Sequence, residues 1–200
     1  MDITRKLNDV LEIGDEKFVL KMSFNNVLKV IELLTDKEIN EIVKPYVALE
    51  ILTGINFGKL GYTPDEVVEI FIQVYQAHIK LSDDEEKEVR DVEGNLIPQH
   101  LVDNAKEKDS DNTQLYSLKY DGSYIYSSFY QAYNIDLIEV QDKLHWKKFN
   151  ALLNGLPSNT KLMEVIKIRS WKPQKGDSAK YKEEMKKLKE IYKLPSNIEY

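Results

Sequence analysis

Few side chains in this chain could support catalysis or metal binding. The histidines are His78, His100 and His145. None stands in a His-x-x-x-His or Glu-x-x-His pattern, the spacings that put two metal ligands on one helix face. There is no cysteine, which removes disulfides, thiolate nucleophiles and Cys-based zinc sites together. His145 lies in Leu144-His145-Trp146-x-x-Phe149. Wound as a helix from about Glu139 to Asn154, that segment puts Lys143, Lys147, Asn150 and Asn154 on one polar strip. Leu144, Trp146, Phe149, Leu152 and Leu153 fill most of the remaining arc. His145 then falls between the projections of Phe149 and Leu152, the position of a core histidine. An enzyme would need His145, Asp136 and a serine to cluster. The expectation is therefore no catalytic residues, no metal ligands and no cofactor.

Two near-motifs fail for physical reasons. Gly54-Ile55-Asn56-Phe57-Gly58-Lys59-Leu60 resembles a phosphate-binding loop, but it is one residue short between its glycines. It also has leucine where a Mg²⁺-binding hydroxyl must sit, and it follows a helical pattern instead of a strand. Gly54 reads better as a helix C-cap, with Gly58 and Gly61 in turns. Asp109-x-Asp111-x-Thr113 opens like an EF-hand loop, but Gln114 replaces the required glycine and Tyr120 the bidentate glutamate.

The elements that must position these residues are mostly helical. Val10–Ile13 and 18–22 read as a β-hairpin with Phe18, Leu20 and Met22 on one face. Ser23 can cap a helix through Leu34, whose stripe would be Val27, Leu28, Ile31 and Leu34. Thr35-Asp36-Lys37-Glu38 has the capping-box pattern and predicts a second helix to about Thr53, kinked or broken near Val43 by Pro45. Thr63-Pro64-Asp65-Glu66 repeats the box and opens a third helix through Ile79, its core face Val67, Ile70, Phe71, Val74 and Tyr75. Asp121 can cap a helix carrying Ile125, Phe129 and Tyr133. Ser158-Asn159-Thr160 opens another after the Gly155-Leu156-Pro157 stop, and three such helices in succession should pack antiparallel. A final helix, about 178–194, carries a narrow apolar stripe of Tyr181, Met185, Leu188, Ile191 and Tyr192 among lysines and glutamates, with Glu183 and Lys187 as an i, i+4 pair.

Composition sets the class. The chain has 200 residues, 42% of them hydrophobic and 31% charged, which suits one globular core. The expected organisation is a single domain over 1–200: hairpin and helices in 1–81, an acidic flexible insertion in 82–113, and an aromatic-rich helical part with a basic C-terminal helix in 114–200. No apolar run approaches the roughly 18 to 20 residues that cross a bilayer, and the N-terminus lacks a signal-peptide core. The net charge of −6 weighs against nucleic-acid binding. The fold class expected is mainly α: a helical domain with a short N-terminal β-hairpin and a long acidic loop.

Residues 120–169 also carry a recognisable order of motifs. They run Tyr120-Asp121, then Ile125-Tyr126-Ser127-Ser128-Phe129, Tyr133-Asn134-Ile135-Asp136-Leu137, Leu144-His145-Trp146 with Phe149, Ala151-Leu152-Leu153-x-Gly155-Leu156, and Ile166-x-Ile168-Arg169. In this order the chain resembles the gene-product-fifteen family of tailed phages and prophages of Gram-positive bacteria. One departure is Lys147, where the family commonly has a second tryptophan.

The resemblance implies a non-enzymatic tail-assembly chaperone, because such genes usually sit just upstream of the tape-measure gene. It would coat the tape-measure protein in the host bacterial cytoplasm, help recruit tail-tube subunits, and be absent from the finished tail. Self-association fits this role; nucleic acid and membrane do not enter it. A structural virion component, in the tail or in head completion, is the alternative. On this reading Phe129, Leu144, His145, Trp146, Phe149, Leu152 and Leu153 are family-motif core. The stripe Tyr181, Met185, Leu188 and Tyr192 is the expected partner contact.

Overall fold

A computed structural model describes residues 3–80 and 115–195. The acidic insertion expected at 82–113, with the Asp109–Thr113 pattern and His100, lies outside them. The described residues are mainly helical with one N-terminal hairpin, as expected.

Strands β1 (Val10–Ile13) and β2 (Glu16–Val19) pair antiparallel across the two-residue loop Gly14-Asp15, where Gly14 takes a φ of +58°. Leu11 and Phe18 are partners on the inward face; Val19, on the other, is 72% exposed. Phe18 packs at 5.3 Å on Phe57, whose ring is fully buried. The second strand ends sooner than the sequence suggests. Beyond it Leu20 and Met22 remain buried on the Phe18 side, while the Leu20 and Lys21 amides donate to the carbonyls of Asp9 and Leu52.

Helix α1 (Phe24–Thr35) follows Ser23, whose side chain makes no capping bond. Its buried face is Phe24, Val27, Val30 and Leu33; Leu28, Ile31 and Leu34 of the expected stripe are only half-buried. The stripe is rotated because Val30 and Leu33 fill the interior, each such burial contributing about 1.5–3 kcal/mol. Thr35 opens no capping box. It is the last residue of α1 and donates back to the carbonyls of Ile31 and Glu32. The chain breaks near Val43, as expected: helix α2 (Lys44–Thr53) begins just after it, later than the Thr35 pattern suggests, with Pro45 in its first turn, where the missing N–H costs nothing. The buried Lys44 donates to Leu34 O at 3.0 Å and so caps the C-terminus of α1. Gly54 ends α2 in the left-handed conformation (φ +79°), as expected.

Helix α3 (Pro64–Val74) carries the complete Thr63–Glu66 capping box and buries Val67, Ile70, Phe71 and Val74. Tyr75, expected in the core, is 36% exposed. From Tyr75 to Ile79 the helix widens into a π turn closed by Lys80 N–H to Tyr75 O at 2.8 Å.

The second half comprises α4 (Gly122–Tyr133), α5 (Trp146–Asn154), α6 (Lys161–Ser170) and α7 (Ala179–Ile191). Helix α4 ends on Asn134 at φ +52°, and α7 carries the expected Glu183–Lys187 ion pair. α4 packs on α5 and α6, while α5 also packs on α1. One hydrophobic cluster runs from Leu11 through α1–α3 to Trp146, Phe149, Leu153 and Leu162.

The largest departure from the sequence reading is at α5, which begins at Trp146 and not near Glu139. Before it the chain makes turns: Asp136 Oδ1 accepts from the amides of Ile138 and Glu139, and Asp142 takes a φ of +59°. Asn25 of α1 holds Asp142 there, donating to its carboxylate and accepting from its backbone N–H, both at 2.9 Å. Asn150, expected on a polar strip, is buried with its amide donating to Trp146 O at 2.9 Å.

Candidate functional site

The Leu144-His145-Trp146 motif joins the two halves of the chain. His145 is the N-cap of α5 and not a mid-helix core residue, because the Asn25–Asp142 pairing stops the helix from starting earlier. Its backbone region bridges Ser23: Phe24 N–H donates to Leu144 O at 2.9 Å and Trp146 N–H to Met22 O at 2.8 Å. Its Nδ1 accepts from Lys147 N–H at 3.0 Å, so the ring proton sits on Nε2, which donates to Asp9 Oδ2 at 2.9 Å. The other oxygen of Asp9 lies 3.4 Å from His78 Nδ1, an electrostatic contact and not a hydrogen bond. Burial holds the His78 imidazole below its ordinary pKa of 6.5, although the Asp9 carboxylate pulls the other way.

His78 stands in the π turn Tyr75–Ile79. That turn leaves helix-end carbonyls without intrahelical partners. Trp146 Nε1 donates to Ile79 O at 2.9 Å and Lys147 Nζ to Ala77 O at 3.4 Å. Lys147, expected to serve only a polar strip, thus helps to cap α3. Behind the motif is a stack of rings: Phe149 lies 4.9 Å from Phe24, 5.2 Å from Phe129 and 5.9 Å from Trp146, all near-parallel. Leu153 is buried, and Leu144 and Leu152 are half-buried against the core. Phe129, Leu144, Trp146, Phe149, Leu152 and Leu153 therefore meet in one cluster, and His145, expected with them, stands outside it as the cap that bonds Asp9.

A second clamp lies at the end of the motif series. Arg169 donates to Asp121 through Nη1 (2.6 Å) and Nη2 (2.8 Å), to Leu115 O through Nη1 (2.9 Å) and to Tyr192 O through Nε (2.6 Å). Asp121, expected as a helix cap, makes no capping bond because its carboxylate is given to Arg169 and to Ser117 N–H. Ser128 is fully buried and accepts from Leu162 N–H at 2.9 Å, capping α6 from α4. The hydroxyl of Thr160, the local N-cap, donates instead to Pro157 O.

The stripe Tyr181, Met185, Leu188 and Tyr192 divides. Met185 is buried and Leu188 half-buried; Tyr192 accepts from Lys161 at its hydroxyl and lies edge-on to Tyr124 at 6.0 Å. Tyr181 meets Trp171 at 6.1 Å but stays 42% exposed.

Neither ring nitrogen of His145 is free to take a proton from a nucleophile, and Asp136 is committed to Tyr126 Oη (2.9 Å) and to backbone amides elsewhere. The buried Ser23 hydroxyl, next to His145 in the bridge, has no hydrogen-bond partner. Among the described residues no group of three His, Asp or Glu could hold a metal ion, and no helix is long and apolar enough to cross a membrane.

Sequence reasoning missed Asp9 and His78, which stand 136 and 67 residues from His145 and carry no local signal. Asp121 and Arg169 were legible as motif residues but not as a pair.

No curated protein and no solved structure matches the chain. A family model described as "Bacteriophage Gp15 protein" matches residues 3–194, a span that takes in both halves and both clamps. The chain is therefore a phage protein and belongs to the Bacteriophage Gp15 protein family.

Proposed function

We propose that this protein is a non-enzymatic tail-assembly chaperone that binds the tape-measure protein during tail morphogenesis in the host bacterial cytoplasm, and that it leaves before the tail matures. Family membership over residues 3–194 carries this reading. The structure supports it in two ways. The polar side chains best suited to chemistry are used to join helices, and apolar side chains are left at the surface: Ile42, Ile72, Tyr130, Ile138 and Ile191 are each more than two-fifths exposed. Such residues suit a protein that covers the apolar seams of a long helical client and helps bring tail-tube subunits to it. In α7 the contact would use Tyr181 and Ile191, since Met185, Leu188 and Tyr192 already face their own domain.

The test is co-expression of the full chain with tape-measure protein of the same phage, together with mass spectrometry of purified virions. The expected result is a soluble complex before assembly and no chain in mature tails. Stoichiometric retention in the virion would overturn the chaperone reading in favour of a structural tail or head-completion protein.

A further inference from the structure

Beside its buried stripe, helix α3 with its C-cap Tyr75 carries an apolar margin that the described part of the chain leaves partly exposed. Val68, Ile72 and Tyr75, spaced by four and three residues, fall on one face and are 38%, 47% and 36% exposed. The buried stripe, Val67, Ile70, Phe71 and Val74, adjoins this seam, with Phe71 beside Tyr75. Helical winding at about 100° per residue sets Asp65 and Glu69 along one edge of the exposed seam. Both carboxylate residues are exposed, α3 itself carries no Lys or Arg, and its third acid, Glu66, is held in the capping box. The Tyr75 ring lies 6.1 Å from that of Phe71, so the seam presents an aromatic edge.

We propose that this seam is a docking surface for a single amphipathic helix whose apolar stripe is bordered by lysine or arginine. The four-and-three spacing matches a helical occupant, and the acidic edge selects a basic border. The chain's own acidic run, Asp83, Asp84, Glu85, Glu86 and Glu88, has the wrong sign to pair with that edge. Taking the occupant to be a tape-measure segment rests on the chaperone reading; the preference for a basic-bordered helix does not.

The experiment uses the full chain with two sets of probes: overlapping peptides from the tape-measure protein of the same phage, and one designed amphipathic helical peptide made with either lysine or glutamate borders. Binding is read by fluorescence anisotropy at low salt. The lysine-bordered peptide is expected to bind about tenfold more tightly than its glutamate counterpart, and Ile72→Asp to weaken it by about tenfold or more. Glu69→Lys should abolish the preference. Ile72→Ser is the second variant should Ile72→Asp lower the Tm. Equal binding of the two designed peptides, or no effect of any seam variant, overturns the seam. If tape-measure peptides bind and no seam variant weakens either them or the lysine-bordered peptide, the seam fails and the chaperone reading stands. If only the designed lysine-bordered peptide binds, the seam stands and the assignment of its occupant to a tape-measure segment fails. A wild-type dimer in sedimentation that Ile72→Asp dissolves would assign the face to a second copy and overturn the proposal.

Discussion

Arg169 closes on Asp121 in a two-pronged pair, and the same guanidinium reaches Leu115 O and Tyr192 O. With side chains 9% and 2% exposed, this pair is buried, and it ties the ends of α4, α6 and α7 to the point where the described chain resumes. The first and last motif pieces of residues 120–169 are thus explained by one contact.

Breaking that contact from one side should be costly. Arg169→Met leaves the Asp121 carboxylate buried without its partner, a change worth about 3–5 kcal/mol in chemical denaturation. Because Arg169 also holds the Tyr192 carbonyl, α7 should become a protease target in this variant. Asp121→Leu combined with Arg169→Met should recover part of the stability but not the protection of α7. A single-variant loss below about 1 kcal/mol would show that the pair does not hold these helices together.

Trp146 separates packing from capping. Trp146→Phe keeps a ring against Phe149 but removes the donor to Ile79 O, leaving a helix-end carbonyl without its partner; the expected cost is about 1–3 kcal/mol. Trp146→Ala removes the ring as well and should cost about 3–5 kcal/mol. Equal losses for the two variants in thermal or chemical unfolding would assign the whole effect to the hydrogen bond.

Ser128 offers a sharper test of long-range capping. Its hydroxyl serves the first turn of α6 from another helix, so Ser128→Ala strands the Leu162 amide in the core. The expected loss is about 1–3 kcal/mol. The local cap should matter less: Thr160→Ala removes a hydroxyl that only donates to Pro157 O. Reversal of that ranking in urea unfolding would mean that α6 is capped locally after all.

What the sequence made legible was local. The Thr63–Glu66 box, Pro64 in a first turn and the Gly54 stop depend on neighbours within a few residues, and each is where the pattern puts it. The same pattern at Thr35–Glu38 came to nothing: Thr35 is the last residue of α1, its hydroxyl donates back to the Ile31 and Glu32 carbonyls, and the next helix begins only at Lys44. The start of α5 was not readable, since Asn25 sets it from 117 residues away. His145 was misplaced for the same reason: winding the segment 139–145 as helix gave it a core position, whereas Asn25–Asp142 makes it a cap that reaches Asp9. The residues of the ring stack could be named from their spacing, but their shared contact with Phe24 of α1 could not.

His78 makes the Asp9 cluster sensitive to pH, with a definite sign. Burial lowers its folded pKa below the ordinary 6.5, against the opposing pull of Asp9 and with help from nearby Lys147 and His145. Below pH 6.5 the unfolded chain therefore takes up a proton at this position before the folded one does, so stability rises with pH across that interval and levels off above it. Lowering the pH from 7 through 6.5 and beyond should reduce the Tm of the wild type more than that of His78→Gln, which cannot titrate. The difference between the two curves isolates His78 from other groups that titrate in the same range. Parallel curves would show that Asp9 offsets burial at this imidazole, and a wild type that gains stability on acidification relative to the variant would show that Asp9 outweighs it.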